Sequence, residues 1–201
     1  MKNLYLLQEN FSSENLWKKI NLLSEDQIKI LTKGLKWTVE NLPASILIGG
    51  TATVHYVTNE RKLTPDLDFM TSDIWSVKAK LNSDKIKFND LNPGIEKPIG
   101  IVADEFNVDF LDCNVGNTML NKLIAEKPNV ATIGGYQVKI INAELLAIMK
   151  LELGRERDLD DAFALLQSGK CNKEKYTSYM NLLKEHLKDY DSIVGYQELI
   201  K

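Results

Sequence analysis

Hydrophobic positions change their period several times along this chain. From Ser24 onward the spacing is helical: Ile28, Leu31, Leu35, Val39 and Leu42 recur at three- and four-residue steps, and Pro43 closes the segment. At its head, Ser24-Glu25-Asp26-Gln27 has the form of a capping box, in which hydroxyl and amide bond reciprocally to the backbone. A shorter helix near Ser13, carrying Leu16, Trp17 and Ile20, is expected before it. The period then breaks. Ser45-Ile46-Leu47-Ile48 is a short apolar run ending in Gly49-Gly50, as in a buried strand feeding a tight turn. A short helix over 51–57, a polar loop over 59–65 and a second strand, Asp66-Leu67-Asp68-Phe69-Met70, follow.

The middle of the chain alternates. A helix from about Asp73 to Leu81 precedes strand-like Ile86 to Phe88, and Gly100–Ala103 with Phe106–Leu111 reads as a hairpin turning at Asp104-Glu105. Thr118–Glu126 is helical. Val130–Ile133 and Tyr136–Ile141 flank Gly134-Gly135, and glycine accepts the positive φ that a two-residue hairpin turn requires. Asn142 caps a helix through Leu151 that continues or restarts around Gly154 over Arg155–Leu166, and Lys173–Tyr190 reads as one long amphipathic helix. The pattern gives an α+β fold: a mixed β-sheet with flanking helices over 1–141, and a helical C-terminal region over 142–201 packed on it.

Composition narrows the class. A chain of 201 residues, 44% hydrophobic and 26% charged, buries a real core and is neither disordered, fibrous nor membrane-like. Lys plus Arg number 25 against 28 Asp plus Glu, so the net charge of −3 gives no whole-chain nucleic-acid footprint. Lysines nevertheless cluster at Lys78, Lys80, Lys85 and Lys87 and again over 170–175, which predicts local basic surface under an acidic average. Cys113 and Cys171 have no metal-ligand spacing and read as inert thiols in a reducing compartment. The apolar patch Leu4–Leu7 is broken by Gln8, Glu9 and Asn10, and no apolar run nears the roughly 18 residues of a membrane span. A cytoplasmic location is expected.

The chemistry centres on acids. Asp66 and Asp68 are two apart on a strand, so both carboxylates face one side, and like charges so placed favour a hard cation such as Mg²⁺ between them. Taken alone, Asp-x-Asp is equally a strand end with two solvated acids. Gly49-Gly50, after an apolar strand, lets backbone N–H groups approach a phosphate, with a helix start adding its positive end; it also fits an ordinary turn. Asp109 stands between Val108 and Phe110 on an expected strand, where an acid is costly without a partner or metal. Asp112, at the strand end, is its competitor and is more simply a turn residue.

Together these blocks have a recognisable form. Ile48-Gly49-Gly50-Thr51-Ala52, Lys62-Leu63-Thr64 leading to Asp66-Leu67-Asp68-Phe69, and Val108-Asp109-Phe110 resemble the signature of the DNA polymerase β-like nucleotidyltransferase superfamily. Within it the chain is most similar to the AbiEii-type nucleotidyltransferases, toxin components of abortive-infection toxin–antitoxin pairs. Asn142 to Lys150 resembles that family's Glu-to-Lys helix, and Asp158-Leu159-Asp160-Asp161, after Arg157, its later Asp-x-x-Asp element. On a continuous helix Lys150, Arg157 and Asp161 would share a face within about 20°. The resemblance covers roughly Ile46 to Leu166.

The resemblance implies a nucleotidyltransferase core in which Asp66, Asp68 and Asp109 hold Mg²⁺ or Mn²⁺. Gly49, Gly50 and Thr51 would cradle the β- and γ-phosphates of an NTP. Lys62 would belong to the nucleotide-binding set, Lys150 and Arg157 would neutralise phosphate charge, and Asp158 and Asp161 would orient those cations or contact the base. It implies transfer of NMP to an acceptor hydroxyl, with tRNA or another RNA as acceptor and a cognate antitoxin as partner. Two other readings stay open: transfer to a small, antibiotic-type hydroxyl, and a non-catalytic nucleotide- or partner-binding relative. His55 reads as a packing residue on the short helix, and His186 sits among Lys184, Glu185 and Lys188 on a solvated face.

Overall fold

A computed structural model describes residues 23–57, 66–92 and 99–200. The helix expected near Ser13, the loop over 59–65, Lys62 and Thr64 lie outside these residues.

The chain enters through α1 (Glu25–Asn41), whose capping box forms as expected: the Ser24 hydroxyl accepts from the Gln27 N–H, and the Gln27 amide oxygen accepts from the Ser24 N–H at 2.8 Å. Next come β1 (Ile46–Ile48), α2 (Gly49–Tyr56), β2 (Leu67–Thr71), α3 (Ile74–Ser83), a two-residue β3 (Asn89–Asp90), β4 (Gly100–Ala103) and β5 (Val108–Asp112). A 3₁₀ turn over Asp104–Phe106 and left-handed Asn107 join β4 to β5, so the expected hairpin forms with a wider corner. After α4 (Thr118–Glu126), β6 (Asn129–Ile133) and β7 (Tyr136–Ile140) pair across Gly134-Gly135, in register from Ile133 opposite Tyr136.

These strands form one mixed, seven-stranded sheet in the order β3-β4-β5-β2-β1-β7-β6. Its central contacts are antiparallel β1–β2 and parallel β2–β5 and β1–β7. On one face Phe69 stacks on Phe110 at 6.1 Å, and Trp37 of α1 meets the edge of Phe110 at 6.2 Å. That aromatic layer seals the sheet against α1, leaving the opposite face of β2 and β5 for polar side chains.

Among the described residues four α-helices follow the sheet: α5 (Ala143–Leu153), α6 (Glu156–Gln167), α7 (Lys173–Leu183) and α8 (Tyr190–Gly195). The single long helix expected over 173–190 is therefore two, separated at 184–189. The physical reason is tertiary. Asn117 donates to the His186 carbonyl at 2.6 Å, Glu152 accepts from the Lys188 N–H at 3.1 Å, and Asp189 caps α8. Those bonds replace the helical ladder. Buried Tyr176, Met180 and Leu183 of α7 join the same hydrophobic core as Leu146, Ile148 and Leu165, so the C-terminal helices pack on the sheet-bearing part. Cys171 is buried, which pushes its thiol up to about 12, and Cys113 is half-buried. Among the described residues no helix is long and apolar enough to cross a membrane.

Candidate active site

Strand register assembles the acids. Asp68 pairs with Ile48 across antiparallel β1 and with Asp109 across parallel β5. The twofold period of β2 puts Asp66, Asp68 and Met70 on one face, and Met70 stands beside Leu111 as Asp68 stands beside Asp109. The two acids of the Asp-x-Asp and the isolated acid of β5 are thus neighbours because of β-pairing between segments about forty residues apart.

The glycine turn closes the other side. Gly49 has φ +68°, and a Cβ built on it would collide with the Asp68 carboxylate. Only glycine permits both the left-handed backbone and that contact. The Gly50 N–H donates to Asp68 Oδ2 at 3.4 Å. Thr51 is fully buried, and its hydroxyl donates to the Asp66 carbonyl at 3.0 Å, so this side chain fixes the backbone of the first acid.

The acids crowd one another. Burial, followed by the nearby charges of Asp66 and Asp109, pushes the Asp68 carboxyl up to about 6, against partial relief from the Gly50 N–H and Lys150. Asp109 is also raised, by burial and then by Asp66 and Asp104. Asp66 Oδ1 is buried with no hydrogen-bond partner among the described residues. An enclosed carboxylate oxygen without a donor, beside two acids held above their ordinary range, is a hard-oxygen set that suits a divalent cation. Among the described residues, no three His, Cys, Asp or Glu side chains are gathered at metal-ligand spacing, so the acids are neighbours rather than a closed cage.

The cationic side comes from α5 and α6. Gly154, with φ +66°, ends α5, and its N–H donates to the Lys150 carbonyl at 3.1 Å. Lys150 and Asp161 therefore meet across a helix hairpin rather than along the shared face of one continuous helix. The Lys150 ammonium lies 2.6 Å from Asp161 Oδ2 and 3.1 Å from Asp158 Oδ1, with all three side chains almost wholly enclosed. Arg155, whose side chain is 73% exposed, donates through Nε to Asp158 Oδ2. Burial alone would raise the Asp158 carboxyl, but the hydrogen bonds from Arg155 and Lys150 outweigh it and hold it below its ordinary value.

These parts face a cleft of about 760 Å³. Gly49, Gly50, Asp66 and Asp68 line it together with Lys150, Arg155, Arg157 and Asp158, and Met70, Leu111, Leu120, Met149 and Leu153 give it an apolar side. Asp109 adjoins Asp68 in the sheet, and Asp161 holds Lys150 from behind. Two groups were not legible as site residues. Arg155 hides behind Gly154, which invites a reading as a simple helix break. His186 and Lys188 look like an exposed helix face until the 184–189 turn brings them to the cleft wall. His55, half-buried and edge-on to Tyr56 at 4.9 Å, is a packing residue, as expected.

A mixed sheet that brings a glycine turn and strand carboxylates to the mouth of one cleft defines a nucleotidyltransferase architecture. The chain belongs to the family described as nucleotidyl transferase of unknown function (DUF2204), which matches residues 24–195. Its fold is similar to that of an antigenic nucleotidyltransferase-like protein from Paracoccidioides brasiliensis. The TM-score is 0.50 at 16% identity, over 86% of this chain and 94% of that one. No curated protein matches the chain.

Proposed function

We propose that the protein is a Mg²⁺-dependent nucleotidyltransferase that moves NMP from an NTP to an acceptor hydroxyl of tRNA, breaking the α–β phosphoanhydride bond and releasing pyrophosphate, in the manner of AbiEii-type toxins. The observation that carries the reading is Asp68 itself, flanked in register by Asp109 and backed by the Gly49 turn. Asp66, Asp68 and Asp109 would hold the cation. Bound there, Mg²⁺, or Mn²⁺ in its place, supplies charge neutralisation and Lewis-acid polarisation at the α-phosphate.

The chain's own groups do the rest. Backbone N–H groups at the start of α2, from Gly49 and Gly50, offer donors to phosphate oxygens. Arg155 and Arg157, at the cleft wall, add positive charge where the triphosphate lies, and the exposed fork of Arg155 suits paired phosphate oxygens. Lys150 is already committed to two aspartates, so it acts by fixing α6 against α5 and by setting the field at Asp68. Asp109, beside Asp68 in the sheet, is the carboxylate placed to receive the proton of the attacking hydroxyl. The acids come from the β2 and β5 segments and the cations from α5, the α5–α6 turn and α6, so the helices after the sheet complete the site. A cognate antitoxin and a cytoplasmic setting belong to the same reading.

The test is incubation with total tRNA and each α-labelled NTP in turn, with Mg²⁺ or with EDTA. The expected result is label on RNA, lost in EDTA and released by ribonuclease. Label on a small hydroxyl compound but not on RNA would overturn the acceptor, and no label on any acceptor would overturn the transfer reading.

A further inference from the structure

The segment 184–189, between α7 and α8, forms part of the cleft wall through His186 and Lys188. Its backbone is pinned at several points. The His186 carbonyl accepts from Asn117, the Lys188 N–H donates to Glu152, and the His186 and Leu187 N–H groups donate to the Leu183 carbonyl at 2.8 and 3.2 Å. Leu187 packs against the core, which turns its two neighbours outward. His186 and Lys188 are exposed, and neither side chain has a hydrogen bond or ion pair among the described residues. Of the neighbouring acids, Glu152 accepts from the Lys188 backbone and Asp189 caps α8, while Glu185 beside His186 is exposed. The result is a backbone-pinned ledge presenting two unpaired donors to the cleft.

These donors share the cleft with the acids but come from a different element than the cations that act on Asp68. The cations that act on Asp68 are Lys150 and Arg155, from α5 and the α5–α6 turn. His186 and Lys188 come from a separate element and lie no more than about 7 Å apart along the chain. Imidazole and ammonium donors on a pinned backbone, blind to base identity, suit the anionic oxygens of a polynucleotide backbone.

We propose that this ledge is an acceptor-binding subsite, in which His186 and Lys188 hold the phosphodiester backbone of a single-stranded RNA end as it enters the cleft. The proposal rests on the transfer reading above and names the residues that meet its acceptor.

The test is direct binding, independent of turnover. Fluorescence anisotropy with a short fluorescein-labelled single-stranded RNA is measured for the wild type, H186A, K188A, the double variant and K188R, and calorimetry follows Mg²⁺-ATP binding in each. Each alanine variant is expected to weaken RNA binding at least about fivefold and the double variant about thirtyfold, with K188R near wild type. The slope of log K against log salt should flatten by about 0.7 for each phosphate that the variant no longer neutralises. ATP affinity and melting temperature stay unchanged, because the pinning bonds use backbone atoms. RNA binding equal in wild type and double variant, no RNA binding by the wild type, or loss of ATP rather than RNA affinity would each overturn the subsite. A wild type that binds RNA through His186 and Lys188 without transferring label would sink the transfer reading and leave the RNA site standing.

Discussion

Lys150 places one ammonium 2.6 Å from Asp161 and 3.1 Å from Asp158 in a nearly dry setting. A buried pair gains little net stability over an apolar replacement, but removing one partner leaves an uncompensated charge. Lys150→Met is therefore expected to cost about 3–5 kcal/mol in chemical denaturation. Replacing Asp158 and Asp161 by asparagine as well should recover most of that loss. A Lys150→Met protein as stable as the parent would show that the ammonium is not what holds the hairpin. The same contacts fix the sign of an acid effect. Because the folded protein holds the Asp158 carboxyl below its ordinary value, its contribution is complete above an unfolded value of about 4 and is lost as pH falls through the lower folded one. Melting curves of Asp158→Asn should fall less steeply with acid below about pH 4 than those of the wild type. Residue identities at the acid site were legible, because strand period alone puts Asp66 and Asp68 on one face. The roles of Thr51 and Lys150 were not, since each depends on a partner supplied by tertiary packing: the Asp66 carbonyl for one, two aspartates for the other.

Two glycines with the same left-handed backbone separate element-level tolerance from function. At Gly154 a Cβ meets nothing closer than the Leu151 carbonyl at 3.8 Å, so Gly154→Ala carries only the backbone penalty, about 1 kcal/mol. At Gly49 the same change adds a collision with the Asp68 carboxylate. Gly49→Ala is expected to destabilise by more than Gly154→Ala and to abolish nucleotide transfer, while Gly154→Ala retains it; melting curves and a labelled-NTP assay on the two proteins check this. Equal behaviour of the pair would mean that the turn at β1–α2 is not shaped around Asp68. Elements with strong local signals were legible: the capping box of α1, the Gly134-Gly135 hairpin and helix α4. The break in the C-terminal helix was not, because amphipathic period continues through 184–189 while Asn117 and Glu152, distant in sequence, capture its backbone. The strand expected over 86–88 shifts to Asn89–Asp90, where pairing with Val102 and Ile101 decides the register.

At the scale of the molecule, the net charge of −3 resolves into a local arrangement. The lysine cluster on α3 is partly neutralised, with Lys78 paired to Asp90 and Lys80 to Asp84, and Lys173 pairs with Glu198. The expected basic surfaces are thus weaker than their lysine counts suggest. Arg155, Arg157 and Lys188 instead line the same cleft as Asp66 and Asp68. The match to a nucleotidyl transferase family over residues 24–195 sets the class of protein to which this cleft belongs. In the proposed reaction the Asp66–Asp68 pair carries the chemistry. Its most direct test is the rate of Mg²⁺-dependent label transfer from an α-labelled NTP by the wild type and by Asp66→Ala/Asp68→Ala, with circular dichroism confirming an intact fold. The expected result is a loss of at least about a thousandfold in the double variant. Transfer at the parental rate would contradict the assignment.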